Sequence, residues 1–391
     1  MPEAYIVAAA RTAAGRKGGR LAGWHPADLA ARVIDAVVER AGADPAAIDD
    51  VILGCVVQIG QQAMNVARNA VLASKLPESV PATTVDRQCG SSQQALHFAA
   101  QAVMSGTMDV VIAGGVESMT NVPITLSTKL PAENGYGFYK SPRMEARYPG
   151  VHFSQFTGAE MMARTYDLSR DELDAYSFES HRRAATATQA GWFRDEIVPL
   201  EIANGDGSRG VHDIDEGIRF DASLETIKAV KLLHPEGRIT AASSSQIADG
   251  ASACVIANER GLKTLGAAPL ARIRHMSVLG HDPVVMLDAP IPATERALRK
   301  AGLTIGEIDL FEVNEAFAPV PLAWLRATGA DSAKLNVHGG AIALGHPLGA
   351  SGTKLMTTLV HALARHGGRY GLQTMCEGGG LANVTIVERL P

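Results

Sequence analysis

Val85-Asp86-Arg87-Gln88-Cys89-Gly90-Ser91-Ser92-Gln93-Gln94-Ala95-Leu96-His97-Phe98-Ala99-Ala100-Gln101-Ala102-Val103-Met104-Ser105-Gly106 runs from an apolar approach, through a cysteine, into a helix. Ala95, Leu96, Phe98, Ala99, Ala102 and Val103 recur at helical spacing, and Gly106 stops the run. The thiol of Cys89 is therefore predicted at or just before a helix N-terminus. Unpaired N–H groups and the positive end of the helix dipole there favour thiolate over thiol. Arg87 adds a nearby positive charge, and the small residues after Cys89 let a carbonyl approach the backbone. A buried structural thiol is the commoner fate of a single cysteine, so the surrounding chain has to decide.

Working outward, residues 5–10 predict a first strand ending at Arg11-Thr12. Leu29, Val33, Ile34, Val37 and Val38 mark an amphipathic helix over 26–41, closed by Gly42. Residues 51–57 form a continuous β-branched run, as a strand buried on both faces should. Residues 61–73 read as helix, and 110–113 as another buried strand, broken by Gly114-Gly115. This alternation argues a layered α/β unit. Gly15-Arg16-Lys17-Gly18-Gly19-Arg20 lacks the Gly-Lys-Ser/Thr ending of a phosphate loop and reads as a basic surface loop. The pattern changes after Ser118. Residues 121–158 are rich in Pro, Gly, Tyr and polar side chains; Ser169-Arg170-Asp171-Glu172 is a capping box opening a helix to about Ala190; 204–217 is a polar loop. Residues 118–242 are thus expected to be an insertion forming a largely irregular lid.

Beyond the insertion the chain repeats itself. Ala41-Gly42 before Ile48-Asp49-Asp50-Val51-Ile52-Leu53 is echoed, about 260 positions on, by Ala301-Gly302 before Ile308-Asp309-Leu310-Phe311-Glu312-Val313. Gly90-Ser91-Ser92 has a counterpart in Gly349-Ala350-Ser351-Gly352. The strand ending at Gly114-Gly115 is matched by residues 373–376 ending at Gly378-Gly379-Gly380. The order of elements predicts two similar halves packed together.

A length of 391 residues requires two or three packed units. With 20% charged and 46% hydrophobic residues, the chain reads as a folded soluble protein. A net charge of -5 gives no basic footprint for nucleic acid or an anionic membrane. Cys55, Cys89, Cys254 and Cys376 show no metal-ligand or disulfide-framework spacing, so no metal and a reducing compartment are expected. No run is apolar enough to span a bilayer, and the first residues lack a signal-peptide pattern. The expected location is cytoplasmic.

Three stretches of the second half bear on Cys89. Asn314-Glu315-Ala316-Phe317 follows the repeated strand. Asn336-Val337-His338-Gly339-Gly340-Ala341-Ile342-Ala343-Leu344-Gly345-His346-Pro347-Leu348-Gly349-Ala350-Ser351-Gly352 holds five glycines, which means tight turns and an aimed imidazole at His346. Cys376-Glu377-Gly378-Gly379-Gly380 places a second thiol at a strand end. Singly, Asn314 reads as a helix cap, His346 as a loop histidine and Cys376 as a core residue.

Together, in this order and across essentially the whole chain, they resemble the thiolase family. The resemblance implies a five-layer αβαβα fold of two similar βαβαβαββ halves with an inserted loop domain. It divides the chain into 1–117, the insertion 118–242, a completing segment 243–270 and a second half 271–391. It implies an acyl-CoA C-acetyltransferase: reversible thiolytic cleavage of 3-ketoacyl-CoA by CoA, or Claisen condensation of acetyl-CoA, through an acyl-cysteine, most often in degradation. By resemblance Cys89 is the nucleophile, His346 its base and Cys376 the second acid/base. Asn314 holds an oxyanion water beside His346, and the N–H groups of Cys89 and Gly378 form the other oxyanion site. Arg219 and Ser245 map onto CoA contacts, Met286 and Phe317 onto the acyl end. CoA is then a co-substrate, no cofactor is held permanently, and a homodimer or homotetramer is expected. Asp86, Ser92, His338 and Gln246 depart from common family residues, and several flank the pocket. A β-ketoacyl synthase-type condensing enzyme shares the fold and a nucleophilic cysteine, but Cys376 argues against it. A catalytically silent lipid carrier should have lost one of the four groups, and all are present.

Overall fold

In the computed structural model, residues 2–203 and 207–390 are described. The chain opens with β1 (Tyr5–Thr12) and a two-residue β2 (Gly15–Arg16), then α1 (Pro26–Arg40), β3 (Asp50–Gly54) and α2 (Val66–Ala73). Next come β4 (Ala82–Val85), α3 (Ser91–Ser105) and β5 (Val110–Ser118). The insertion carries α4 (Leu126–Glu133), α5 (Pro142–Arg147), α6 (Gln155–Thr165) and α7 (Arg170–Gln189). It continues through β6 (Ile197–Val198), a hairpin of β7 (Leu200–Ala203) and β8 (Arg209–His212), and α8 (Leu224–Lys228). β9 (Ala248–Ala257) then returns between β1 and β5, completing βαβαβαββ, and α9 (Glu259–Leu265) leads out. The second half runs β10 (Ala271–Gly280), α10 (Pro290–Ala301), β11 (Leu310–Val313), α11 (Pro319–Thr328) and α12 (Ala341–Leu344). It ends with α13 (Ser351–His366), β12 (Tyr370–Glu377) and β13 (Leu381–Glu388). In the place of β4 this half has only a single bridge, Leu335 to Phe311.

Strand alternation builds the layers. Val110 and Ile112 of β5 pack into a core with α1 and α2, while Val111 and Ala113 face a second core with α3 and α13. Likewise Phe311 and Val313 of β11 join α10 and α11, and Leu310 faces α13. Helices α3 and α13 therefore lie between two half-sheets, β4-β3-β5-β9-β1 and β10-β13-β12-β11, with helices outside both: five layers. The half-sheets meet only where Tyr5 and Ile6 pair with Arg272 and Ala271. Leu96 and Leu359 are fully buried in the middle layer, each contributing ~1.5–3 kcal/mol. α13 begins hard against α3: a Cβ on Gly352 would lie 2.1 Å from the Gln93 nitrogen.

The repeat holds in space. Asp49 Oδ2 accepts from the N–H groups of Asp109 (2.7 Å) and Val110 (3.0 Å). Asp309 Oδ2 accepts from those of Arg369 (2.7 Å) and Tyr370 (2.9 Å) in the matching place.

Several local expectations need correction. Gly114-Gly115 does not break β5, which runs through both to Ser118. The glycines are there because a Cβ would meet the Ser252 carbonyl at 2.4 Å and the Gly349 carbonyl at 2.0 Å. The strand predicted over 51–57 ends at Gly54, because the Glu117 carboxyl takes the Val56 and Val57 N–H groups. The helix predicted over 61–73 starts only at Val66, where Asn65, at φ +58°, caps it. The lid is less irregular than expected, since α4 to α8 and three short strands run through it. Within the predicted loop 204–217, residues 204–206 lie outside the described residues and Arg209–His212 is a strand.

Candidate active site

Cys89 stands one residue ahead of Gly90, the N-cap of α3. The turn that delivers it is tight. Gln88 sits at φ +50° and its N–H bonds Asp86 Oδ1 at 2.7 Å. The Ser91 hydroxyl accepts from the Arg87 N–H (2.9 Å) and donates to the Gln88 carbonyl (2.6 Å). The thiol is half-buried. The expected low pKa is not found: burial first, then the Glu377 charge, push Cys89 up to about 12, against the N–H groups of Cys89 and Gly378. At neutral pH Cys89 is therefore a thiol, and its sulfur could attack only with a base to take the proton.

His346 is the second part of the candidate site. Its N–H bonds the Gln246 carbonyl at 2.9 Å. Nδ1 lies 2.5 Å from Ser351 Oγ, which donates its own proton to the Pro347 carbonyl at 2.8 Å. Ser351 can then only accept, so Nδ1 carries the hydrogen and Nε2 presents its lone pair. Asn314 Nδ2 lies 3.4 Å from that Nε2. Burial, then the Lys354 charge, lowers His346 to about 3, so the ring is neutral at neutral pH.

Asn314 follows β11, its N–H on the Thr374 carbonyl at 3.0 Å. Its neighbour Glu315 is a hub, accepting from Tyr176 (2.9 Å), Ser180 (2.7 Å), Asn336 (3.1 Å) and the Ile342 N–H (3.1 Å). This bolts α7 of the insertion to the histidine loop. Lys354 donates to the Leu344 and Gly345 carbonyls just ahead of His346. It stands 4.0 Å from Asp215 of the insertion, which pairs with buried Arg11 at 2.9 Å.

Cys376 is fully buried near the end of β12, and burial, then the charge of Cys89, raises its thiol well above the ordinary value. It shares one apolar cluster with Met286 and Phe317. Met286 is held at φ +66°, and Phe317 meets Phe156 edge-on at 5.4 Å. Cys89, Gly378 and Cys376 are thus one group and His346 and Asn314 a second, and Met286 and Phe317 belong to the apolar cluster that holds Cys376. Arg219 is exposed, with its N–H on His181 Nδ1 (3.2 Å), and the Ser245 N–H bonds the Ala316 carbonyl (2.9 Å). The Gln246 amide ties their two segments to the histidine loop through the Gly217 (2.9 Å) and Ile342 (2.7 Å) carbonyls. The roles of Ser351, Glu315 and Lys354 were not read from sequence. Only their nearness to the glycine-histidine and Asn-Glu-Ala-Phe stretches pointed to them.

Among the described residues no group of three or more His, Cys, Asp or Glu could hold a metal ion, and no helix is long and apolar enough to cross a membrane.

Residues 4–260 match the family "Thiolase, N-terminal domain" and 267–389 match "Thiolase, C-terminal domain". The chain is 54% identical to the steroid 3-ketoacyl-CoA thiolase FadA6 of Mycobacterium tuberculosis, covering all of this chain and 95% of that one. It is 43% identical to a 3-ketoacyl-CoA thiolase of Yersinia pestis, over the whole of both. The human mitochondrial 3-ketoacyl-CoA thiolase structure superposes with a TM-score of 0.90 at 36% identity, covering 100% of this chain and 99% of that one. The chain belongs to the thiolase family.

Proposed function

We propose that this enzyme cleaves 3-ketoacyl-CoA with CoA in a degradative pathway, releasing acetyl-CoA and a shortened acyl-CoA. The observation that carries the reading is the pair of neighbouring thiols, Cys89 and Cys376, in a chain that also holds a neutral His346 with Asn314 at its Nε2. Cys89 attacks the 3-keto carbon and its proton passes to His346 Nε2. The Cα–Cβ bond then breaks; the acyl group stays on sulfur as a thioester, and Cys376 protonates the departing acetyl-CoA enolate. The proton held on His346 then passes to the Cys376 thiolate; His346, neutral again, takes the proton of an incoming CoA thiol, which attacks the thioester, and hands that proton to Cys89 as its sulfur leaves. The N–H groups of Cys89 and Gly378 form one oxyanion site, and His346 with a water on Asn314 forms the other. The condensing-enzyme and silent-carrier readings are not favoured, since all four reacting groups are present.

CoA enters as co-substrate along Arg219 and Ser245, with the acyl chain toward Met286 and Phe317. The 54% identical steroid thiolase supports a bulky acyl group. The domain limits 1–117, 118–242, 243–270 and 271–391 belong to this reading. So does a cytoplasmic location, which four unpaired cysteines support. So does a homodimer or homotetramer, which the exposed edge strand β4 and nearby Met64, 88% exposed, support.

CoA-dependent cleavage of 3-ketoacyl-CoA thioesters graded in length and bulk tests the substrate, and bulky rings are expected to be preferred. Cys89→Ala is expected to abolish all acyl transfer. Cys376→Ala should still exchange a saturated acyl group between thiols, yet lose C–C cleavage and α-proton exchange by ~10²–10⁴. Near-normal α-proton exchange in Cys376→Ala would remove its assigned role.

A further inference from the structure

Glu377 closes β12 directly after Cys376, and the reaction above makes no use of it. Its side chain is fully buried, and neither carboxyl oxygen has a hydrogen-bond partner among the described residues. It packs on the start of α3. A Cβ on Gly90 would fall 1.9 Å from Glu377 Oε1 and 2.5 Å from the carboxyl carbon, so the carboxyl occupies the space a side chain at position 90 would need. A carboxyl and the Cys89 thiol therefore share one helix N-terminus. That end carries roughly half a positive charge, enough to favour one anion and not two.

The other half of the molecule shows the same carboxyl used differently. Glu117, next to last in β5, reaches the turn ahead of α13. It accepts from the N–H groups of Gly349 (2.9 Å), Val56 (2.9 Å) and Val57 (3.1 Å) and from Gln62 (2.8 Å). There the donors are supplied, and the thiol against the carboxyl, Cys55 at 3.9 Å, follows β3 and does not lead into the helix. At Glu377 neither carboxyl oxygen is hydrogen-bonded among the described residues, and Cys89 leads into the helix.

We propose that Glu377 is a positioning residue that governs ionisation of the nucleophile: its neutral carboxyl leaves the α3 end to the Cys89 thiolate, and its carboxylate withdraws it. The groups facing it are Cys89 and Arg87 from the approach to α3, Cys376 from its own strand and the Asn383 N–H from β13. Asp86 acts on Cys89, and Asp288 on Cys376, in the same sense as Glu377. Burial raises the Glu377 carboxyl well above its ordinary range, with Arg87 and the Asn383 N–H opposing. Glu377 and Cys89 then titrate as a coupled pair with two macroscopic steps.

The inference rests on Cys89 being the nucleophile, so its test uses no acyl-CoA. Iodoacetamide labelling rates of Cys89, followed by peptide mass spectrometry between about pH 6 and 10, are compared for the unaltered enzyme and Glu377→Gln. In the unaltered enzyme the logarithm of the rate is expected to rise with pH and to show one shoulder where Glu377 ionises. Glu377→Gln should rise without a shoulder, with labelling roughly tenfold faster near pH 9, the size of a coupling of about one pK unit. No shoulder in the unaltered enzyme, or superimposable profiles, overturns the proposal; the first readout needs no variant to fold. Failure here leaves thiolysis standing, whereas thiolysis itself fails if Cys89→Ala still cleaves substrate.

Discussion

The Ser351 hydroxyl accepts the Nδ1 hydrogen of His346 and gives its own to the Pro347 carbonyl, so one side chain both orients the ring and selects its tautomer. Ser351→Ala is expected to lower kcat about tenfold, the worth of one hydrogen bond, while the KM for CoA stays near its starting value. Ser351→Thr should restore most of it, and an unchanged kcat in the alanine variant would show that the ring is held by packing alone. Glu312 gives a second expectation at this scale. It is buried in β11 with Oε2 unpartnered, and burial, then the charges of Glu315 and Glu196, hold its carboxyl well above the ordinary range. Unfolded, the group loses its proton near ~4.3. Above that pH the folded chain keeps a proton that the unfolded chain releases, so native stability falls as pH rises until the folded pKa is passed. Glu312→Gln should therefore melt higher than the parent, by a margin that widens between about pH 6 and 8. A margin independent of pH would mean that folding does not perturb Glu312. The placing of Cys89, His346, Asn314 and Cys376 at turns and strand ends was legible in the sequence, whereas their candidate roles came from the family resemblance alone. The upward shift of Cys89 was not legible, since it comes from burial first and then from Glu377, distant in the chain.

Among the elements, the crossing of α3 and α13 sets the distance between the two reacting halves. With a Cβ at position 352 only 2.1 Å from the Gln93 nitrogen, Gly352→Ala must push the helices apart. It is expected to cost about 1–3 kcal/mol and to weaken catalysis, since Ser351 and Gly352 begin the helix that anchors His346. Thermal melting with kcat on the same preparation checks both, and a variant as stable and active as the parent would deny the close crossing. Strand and helix periods made both halves readable, down to the shared spacing of Asp49 and Asp309. The insertion was misread for a physical reason. No residue of α4 or α5 is buried, so neither helix carries the apolar stripe by which helices are found in sequence. α7 was found because its capping box is written locally at Ser169 and Glu172.

At the scale of the molecule, β4 leaves one edge of the sheet unpaired, with Met64 88% and Leu72 59% exposed on the neighbouring segment. An open edge beside exposed apolar side chains is a template for another copy of the chain. Sedimentation at micromolar concentration is expected to give a dimer or larger, and Met64→Asp with Leu72→Asp to shift it toward the 41.1 kDa chain. A parent that sediments only at that mass would exclude association through this edge. Duplication has one more consequence, in how many reaction centres a chain can own. Position 349 corresponds to Cys89 across the repeat, at the head of the matching helix. A side chain there would strike Cys55 Cα and the Val116 carbonyl, both 2.7 Å from its first carbon. A cysteine grafted at 349 would have no room to exist, so the symmetric frame is sterically limited to a single turnover site, and the twin helix end serves as its scaffold.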